Sequence, residues 1–216
     1  MSENAPRRSG TLEGKEHAPV DDHLGLERLI FFSDAVFAIA VTLLVLDIRL
    51  PAGFETASNS QLLDQLLGLW HKVLAYVISF LAVGSFWLAH HRKFRFIKRY
   101  DPGLLVLNLL FLMVIAFVPF PTSVISESSN RTATIFYSLA MTLAGLILAA
   151  IWCYASRHNR LTDPQLDAPQ RRRQLVASLL TVGVFVLSIG LAFINEDLAK
   201  FSWLLLVPIS RYGRIR

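Results

Sequence analysis

The stretch RLIFFSDAVFAIAVTLLVLD, residues 28–47, decides the fold of this chain. It is apolar over a length that crosses a membrane, since about 20 residues at ~1.5 Å per residue span the ~30 Å hydrocarbon core. Its first turns nevertheless carry Ser33 and Asp34. An ionisable side chain within a membrane-spanning helix is costly, so Asp34 is by default a functional-site hypothesis.

The same helix carries a stripe of large aliphatic side chains. Ile39, Leu43 and Leu46 stand at positions i, i+4 and i+7 and therefore share one face. Asp34 lies about 140° round the helix from Ile39, so the acid and the stripe occupy different faces. Such a stripe usually faces lipid or a neighbouring helix, and periodicity alone does not decide whether it lines a pore.

The composition indicates an integral membrane protein. Hydrophobic residues make up 54% of the 216 residues, the mean hydropathy is +0.49, and apolar runs near spanning length recur. We predict an all-α fold with six transmembrane helices, for which the candidate spans are 28–50, 71–91, 104–125, 132–155, 175–195 and 198–210. The last span is short and contains Lys200 and Pro208, so its length alone leaves a re-entrant or interfacial segment open.

Basic and non-basic connections alternate along the chain. The connections at 92–101 and 157–173 and the C-terminal residues 211–216 are rich in arginine, whereas the connections between them are not. The positive-inside rule turns this alternation into a prediction of six spans with both termini in the cytoplasm. The net charge of +5 is then a topology signal, and no basic stripe outside the connections supports nucleic-acid binding.

The domain organisation follows from the same pattern. Residues 1–24 are polar and mixed in charge, so we predict a disordered cytoplasmic tail, followed by a single six-helix transmembrane domain over 25–216. We expect a multi-pass protein of the cell (inner) membrane, in contact with its lipid bilayer. Cys153 is the only cysteine, which excludes an intramolecular disulfide and an all-cysteine metal site. No glycine-rich phosphate loop or nucleophile elbow is present, so we expect no enzyme, no metal and no cofactor.

Polar residues near the cytoplasmic ends of the first three predicted helices are expected to meet in one layer. This layer consists of Arg28 at its edge together with Ser33, Asp34, Trp87, His90 or His91, and Asn108. A metal site or a proton relay could use these residue types. Adjacent histidines point about 100° apart on a helix, so we favour a structural network that fixes how the first three helices pack.

Three strings of sequence resemble the transmembrane protein 175 family of potassium channels. RLIFFSD at 28–34, with the AVFAIAVTLLVL that follows it, is similar to the family's signature first helix. FWLAHHR at 86–92 and the third helix, which ends in VPFPT at 118–122, resemble the family as well. The similarity covers essentially the whole chain and is densest at 28–122. It implies that the first helix packs against its neighbours through Arg28, Phe32, Ser33 and Asp34.

The resemblance also implies a pore lined by the first helices of four copies, without the carbonyl filter of other potassium channels. Ile39 then matches the narrow hydrophobic constriction of the family. Leu43 and Leu46 match further apolar layers, and Thr42 matches the threonine implicated in ion discrimination. On this basis we expect a homotetramer that conducts K⁺ passively with modest selectivity.

Two other functions compete with a channel. A proton-coupled secondary transporter would use Asp34 and His90 or His91, although transporters usually show internal repeats and broken helices, which the sequence lacks. A membrane enzyme would have to use the same residues, and no nucleophile or complete metal motif supports it. We therefore favour the channel.

Overall fold

A computed structural model describes residues 19–50, 58–128, 130–206 and 209, with side chains described from residue 24 onward. Extended pairing in these ranges is limited to an isolated bridge between Ile97 and Thr162. Five helices of the described chain are long and apolar enough to cross a membrane. The predicted all-α membrane fold is therefore confirmed.

The described ranges contain eight α-helices. They are α1 (Pro19–Leu43), α2 (Asn59–Gly68), α3 (Trp70–Phe94), α4 (Pro102–Phe117), α5 (Pro119–Glu127), α6 (Arg131–Ser156), α7 (Ala168–Ala192) and α8 (Glu196–Phe201). Turns of 3₁₀ helix continue α1 over Leu44–Asp47, α6 over Arg157–Asn159 and α8 over Ser202–Leu205. We call the end of the bundle that carries the basic connections the inner end, and the opposite end the outer end.

The start of α1 corrects the predicted tail. Residues 1–18 lie outside the described residues, but the part of the tail predicted over 19–24 is helical, because α1 begins at Pro19. Proline is preorganised for the first helical position.

Side-chain caps mark where the long helices α4 and α7 begin. Asp101 accepts a hydrogen bond from the Leu104 N–H at 2.8 Å, directly before Pro102 opens α4. Asp167 caps α7 in the same way, 2.9 Å from the Gln170 nitrogen. Each cap satisfies a backbone donor that has no partner within its helix.

The third predicted span, 104–125, is broken within its length. Helix α4 ends at Phe117 and α5 begins at Pro119, since proline lacks the N–H of a continuing helix and its ring clashes with the preceding turn. The two helices still form one apolar segment of spanning length, Pro102–Glu127.

The C-terminal segment turns back along α7. The buried Trp203 indole donates to Ser188 Oγ at 2.9 Å, and Ser188 donates to the Ala199 carbonyl at 3.0 Å. Helix α8 and its 3₁₀ turn are short, so they are not among the five span-length helices. The sixth predicted span, 198–210, therefore stays a prediction, and the predicted cytoplasmic C-terminus at 211–216 lies outside the described residues.

Helix α6 lies at the centre of the bundle, and α1 lies at its edge. Of the apolar window of α6, 61% is buried, against 28% for α1. Helix α6 packs on α4, α5 and α7, whereas α1 packs on α3 and α4. A Cβ on Gly145 of α6 would lie 2.7 Å from the Val182 Cγ2 atom of α7, so glycine permits this close approach. The edge position of α1 leaves one of its faces uncovered.

Candidate functional site

The structure joins three residues of the predicted polar layer in a buried chain of hydrogen bonds. His90 Nε2 lies 2.9 Å from Asn108 Oδ1. Asn108 Nδ2 donates to Ser33 Oγ at 2.9 Å, and Ser33 Oγ donates to the Leu29 carbonyl at 2.8 Å. Ser33 and Asn108 are fully buried, and His90 is 1% exposed. We call these three side chains the inner chain; they connect α1, α3 and α4.

The last acceptor of the inner chain fixes its direction. The Leu29 carbonyl can only accept, so the Ser33 hydroxyl proton is committed to it. Asn108 must then donate to Ser33 through Nδ2, which leaves Oδ1 to accept from a protonated His90 Nε2. The middle member of the chain is an amide, which neither releases nor takes up a proton near neutral pH, so the chain suits a structural connection between helices better than a proton relay.

Aromatic rings enclose the histidine of the inner chain, and none of them is among the site residues predicted from the sequence. The His90 ring stacks on Phe94 at 4.1 Å and on Phe111 at 5.6 Å between centroids, and it lies 5.9 Å from Phe37. Phe94 follows His90 by four residues and Phe111 follows Asn108 by three. The i, i+3 and i, i+4 spacing of helical neighbours was therefore an available signal.

The other members of the predicted layer lie outside the inner chain. The Trp87 indole donates to Asp34 Oδ1 at 2.8 Å, and Trp87 is 37% exposed. The exposed His91 ring lies 5.7 Å from the Trp87 ring, so of the two histidines only His90 belongs to the inner chain. Arg28 and Phe32 are also exposed on α1. No group of three or more His, Cys, Asp or Glu side chains in the described chain could hold a metal ion.

The predicted aliphatic stripe lies on the uncovered face of α1. Ile39 is 58% exposed, Leu43 42% and Leu46 59%. Val41, by contrast, is half-buried against the core. We call Ile39, Thr42, Leu43 and Leu46 the exposed α1 stripe.

Thr42 is the polar member of the exposed α1 stripe. Its hydroxyl lies 3.0 Å from the Ala38 carbonyl and 2.9 Å from the Ile39 carbonyl, to which it donates. The proton therefore points at the backbone of α1. The oxygen lone pairs are left for a group outside the chain, and such a group must be a donor or a cation.

A second polar contact, at the outer end of α1, was not anticipated. The Asp47 carboxylate accepts hydrogen bonds from Ser123 at 2.6 Å and from Ser126, both on α5. Hydrogen bonds to a carboxylate are stronger than those between neutral groups. An acid at the end of the apolar run, Asp47, indicates from sequence alone that a polar partner is needed, but its partners lie more than 70 residues away in sequence.

Known proteins resemble both the sequence and the fold. Residues 28–119 match the family model described as endosomal/lysosomal potassium channel TMEM175. A Streptomyces collinus protein named as a potassium channel is 39% identical over 79% of this chain and 84% of its own length. A Danio rerio protein named endosomal/lysosomal proton channel TMEM175 is 31% identical over 72% of this chain and 30% of its own length.

A solved structure extends the likeness to the coordinates. The crystal structure described as a lysosomal potassium-selective channel TMEM175 homolog from Chamaesiphon minutus superposes with a TM-score of 0.78 at 27% identity. The match covers 89% of this chain and 100% of the solved one.

Proposed function

Because the chain belongs to the TMEM175 family, we propose that it is a passive, potassium-preferring channel whose pore is lined by α1 from four copies. The observation that carries this proposal is the exposed α1 stripe. A helix at the edge of the bundle leaves its large aliphatic side chains uncovered, with one threonine oxygen among them. One such helix cannot enclose a pore, so several copies are needed, and closed cyclic symmetry is the usual arrangement.

The chemistry of the exposed α1 stripe fits modest selectivity. A ring of Ile39 side chains can exclude water and gate by dewetting. Such a ring offers an ion no ligands to replace its water, so the ion that loses water most cheaply passes most easily. K⁺ is larger and more weakly hydrated than Na⁺, and rings at Leu43 and Leu46 repeat the same preference. The Thr42 oxygen then adds the single polar contact in this region.

The remaining site residues have a structural role in this proposal. The inner chain and the Asp34–Trp87 hydrogen bond attach α1 to α3 and α4 below the stripe. Arg28 and Phe32 are exposed beside them and are available to a neighbouring copy. We place the protein in the cell (inner) membrane with its basic connections on the cytoplasmic side.

A proton-coupled transporter is the alternative use of Asp34, His90 and His91, and the name of the Danio rerio relative refers to protons. The Asn108 amide in the middle of the inner chain cannot pass a proton from His90 to Ser33, which supports the channel. Purified protein in liposomes separates the two. Under a K⁺ gradient alone, a channel passes K⁺ without a fixed ratio of proton movement, whereas a coupled transporter moves protons in proportion to K⁺ and changes the internal pH.

Ile39→Asn tests the conducting face. A polar residue at the constriction should keep the pore wet, so conductance should rise several-fold and the K⁺-to-Na⁺ permeability ratio should fall. Single-channel currents in a bilayer under asymmetric K⁺ and Na⁺ measure both quantities. Val41→Asn is the matched control, because Val41 packs against the core; it should lower expression and stability instead. If both variants behave alike, the pore lies elsewhere.

A further inference from the structure

Helix α6 carries an exposed stripe that ends in an arginine. Leu143, Leu146, Ala150 and Cys153 are exposed at helical spacing, and Arg157 extends the same stripe at the inner end. Leucines along such a stripe suit the hydrocarbon of a bilayer, and an arginine at its end suits the headgroup region.

Helix α7 repeats this arrangement beside it. Leu179, Gly183 and Val186 are exposed along one face, with the exposed Arg172 at the inner end. A Cβ built on Gly183 would meet nothing within 4 Å, so the glycine leaves the surface of α7 shallow there. The two stripes together form an apolar surface with the guanidinium groups of Arg157 and Arg172 at its inner end.

A groove lies between the two stripes at the inner end. Its lining includes Trp152, Cys153, Arg157, Arg171, Arg172 and Leu175, and no acidic side chain. We call it the arginine groove. Asp167, which precedes α7, is occupied as the helix cap and does not line the groove.

The positive charge of the arginine groove is not balanced within the described chain. None of the ion pairs there involves Arg157, Arg171 or Arg172. Arg171 donates only to neutral groups, the Ser156 carbonyl at 3.4 Å and Asn159 Oδ1 at 3.3 Å. The fully buried Lys93 lies behind the floor of the groove, with Nζ 5.9 Å from the centre of the Trp152 ring.

We propose that the arginine groove binds the phosphate of an anionic phospholipid from the cytoplasmic leaflet, with the acyl chains along the stripes of α6 and α7. Basic pockets between membrane helices on the cytoplasmic side suit such headgroups. A soluble anion would use the arginines but not the apolar stripes. A second copy docked through the same face would bring Arg157 and Arg172 against their own equivalents, which like charges oppose.

Lipid titration of the purified full-length protein tests this site. Phosphatidylglycerol and phosphatidylcholine are added to the delipidated protein in detergent, and native mass spectrometry counts the bound lipid. The groove variant Arg157→Gln/Arg172→Gln is compared with Arg95→Gln/Arg99→Gln, which removes the same charge from exposed arginines on the neighbouring basic connection. We expect phosphatidylglycerol affinity to fall about tenfold or more in the groove variant and less than about twofold in the control.

Three results would overturn the proposal. Equal losses in both variants would show general attraction to basic residues rather than a site. If glycerol 3-phosphate displaces phosphatidylglycerol with an affinity equal to that of the lipid itself, the groove binds phosphate and does not recognise the acyl chains. Unchanged lipid binding with an altered oligomeric mass in the groove variant would show that the face lies between copies. If the double variant fails to fold, Arg172→Gln alone gives the same comparison against Arg99→Gln, with a smaller expected loss.

Discussion

Asn108 is the residue on which the inner chain depends, because it both donates and accepts. Its amide connects His90 on α3 with Ser33 on α1, and all three side chains are buried. A buried polar group that loses its partner costs roughly 1–3 kcal/mol. Asn108 therefore makes both of the hydrogen bonds by which the inner chain joins the three helices.

Asn108→Leu should lower the stability of the protein by roughly 2–4 kcal/mol, since it strands the His90 N–H and takes the donor from Ser33. The midpoint of thermal unfolding in detergent measures the loss. Ser85→Ala is the control, because that hydroxyl bonds only to the Ala82 carbonyl of its own helix; it should cost less than about 1 kcal/mol. Equal decreases of the unfolding midpoint in the two variants would contradict a special role of Asn108 in stability.

Asp101 gives the inner end a dependence on pH. Burial acts to raise the pKa of this carboxyl, but the hydrogen bonds from the Leu104 N–H and the Tyr154 hydroxyl, with the nearby Arg160 charge, outweigh it. The net effect lowers the pKa below the ordinary value of 3.8. A carboxyl whose pKa is lower in the folded state than in the unfolded state stabilises the fold fully at pH values above the unfolded-state pKa. This stabilisation is lost as the pH falls from the unfolded-state pKa towards the folded-state pKa.

Asp101→Asn should therefore destabilise the protein near neutral pH, and the gap to the wild type should narrow as the pH falls below about 4. Thermal unfolding followed at a series of pH values gives the comparison. Asp64→Asn, at an exposed position on α2, is the control, because it removes one negative charge without removing the contacts of Asp101. A gap that stays constant through the acidic range would mean that the ionised form of Asp101 is not what matters.

At the scale of the helices, most of the local structure could be read from the sequence. The acidic caps Asp101 and Asp167, the proline that opens α5 and the apolar runs all act within a few residues of their effect. The exposed α1 stripe was likewise visible as a spacing. Contacts between residues distant in sequence could not be read in this way, because helical periodicity indicates which residues share a face but not which element that face contacts.

Two contacts of the candidate site could not be predicted from the sequence. His90 and His91 are adjacent, and only packing decides that His90 points inward to Asn108 while His91 stays exposed. Asp47 meets Ser123 only because the break at Pro119 brings α5 to the outer end of α1. Both contacts depend on how helices assemble, which no local pattern encodes.

The α6–α7 pair offers a test of helix packing. Gly145→Ala places a Cβ 2.7 Å from the Val182 Cγ2 atom, so the Val182 side chain or one of the two helices must shift, at a cost of roughly 1–3 kcal/mol. Adding Val182→Ala to the same chain should recover a good part of that loss, and thermal unfolding of the single and double variants measures it. A double variant less stable than the sum of the two single effects would show that another contact sets the distance between α6 and α7.

At the scale of the whole molecule, the uncovered face of α1 sets the expected assembly. We expect four copies around α1, with a particle mass of four times the 24.3 kDa chain. Cysteine at Ile39 should then form disulfides between copies, provided that the exposed native Cys153 is first replaced by serine.

Mass photometry and non-reducing gels of the Ile39→Cys/Cys153→Ser protein check this assembly. Val41→Cys in the same background is the control, since its half-buried side chain should not reach another copy. A monomeric mass in mild detergent, with conductance retained on reconstitution, would contradict a pore built from several α1 helices.

The two polar contacts of α1 make it a beam clamped at both ends. The inner clamp is the group of hydrogen bonds at Ser33 and Asp34, and the outer clamp is the pair of serines on Asp47. Ile39 lies between them in a segment of about 13 residues, or roughly 20 Å, whose opposite face packs on the core through Phe37 and Ala40. A clamped beam can displace its middle only by bowing or by carrying both supports with it. Widening at Ile39 would thus move α3, α4 and α5 together, so opening would be a tilt of whole subunits rather than a swing of one helix.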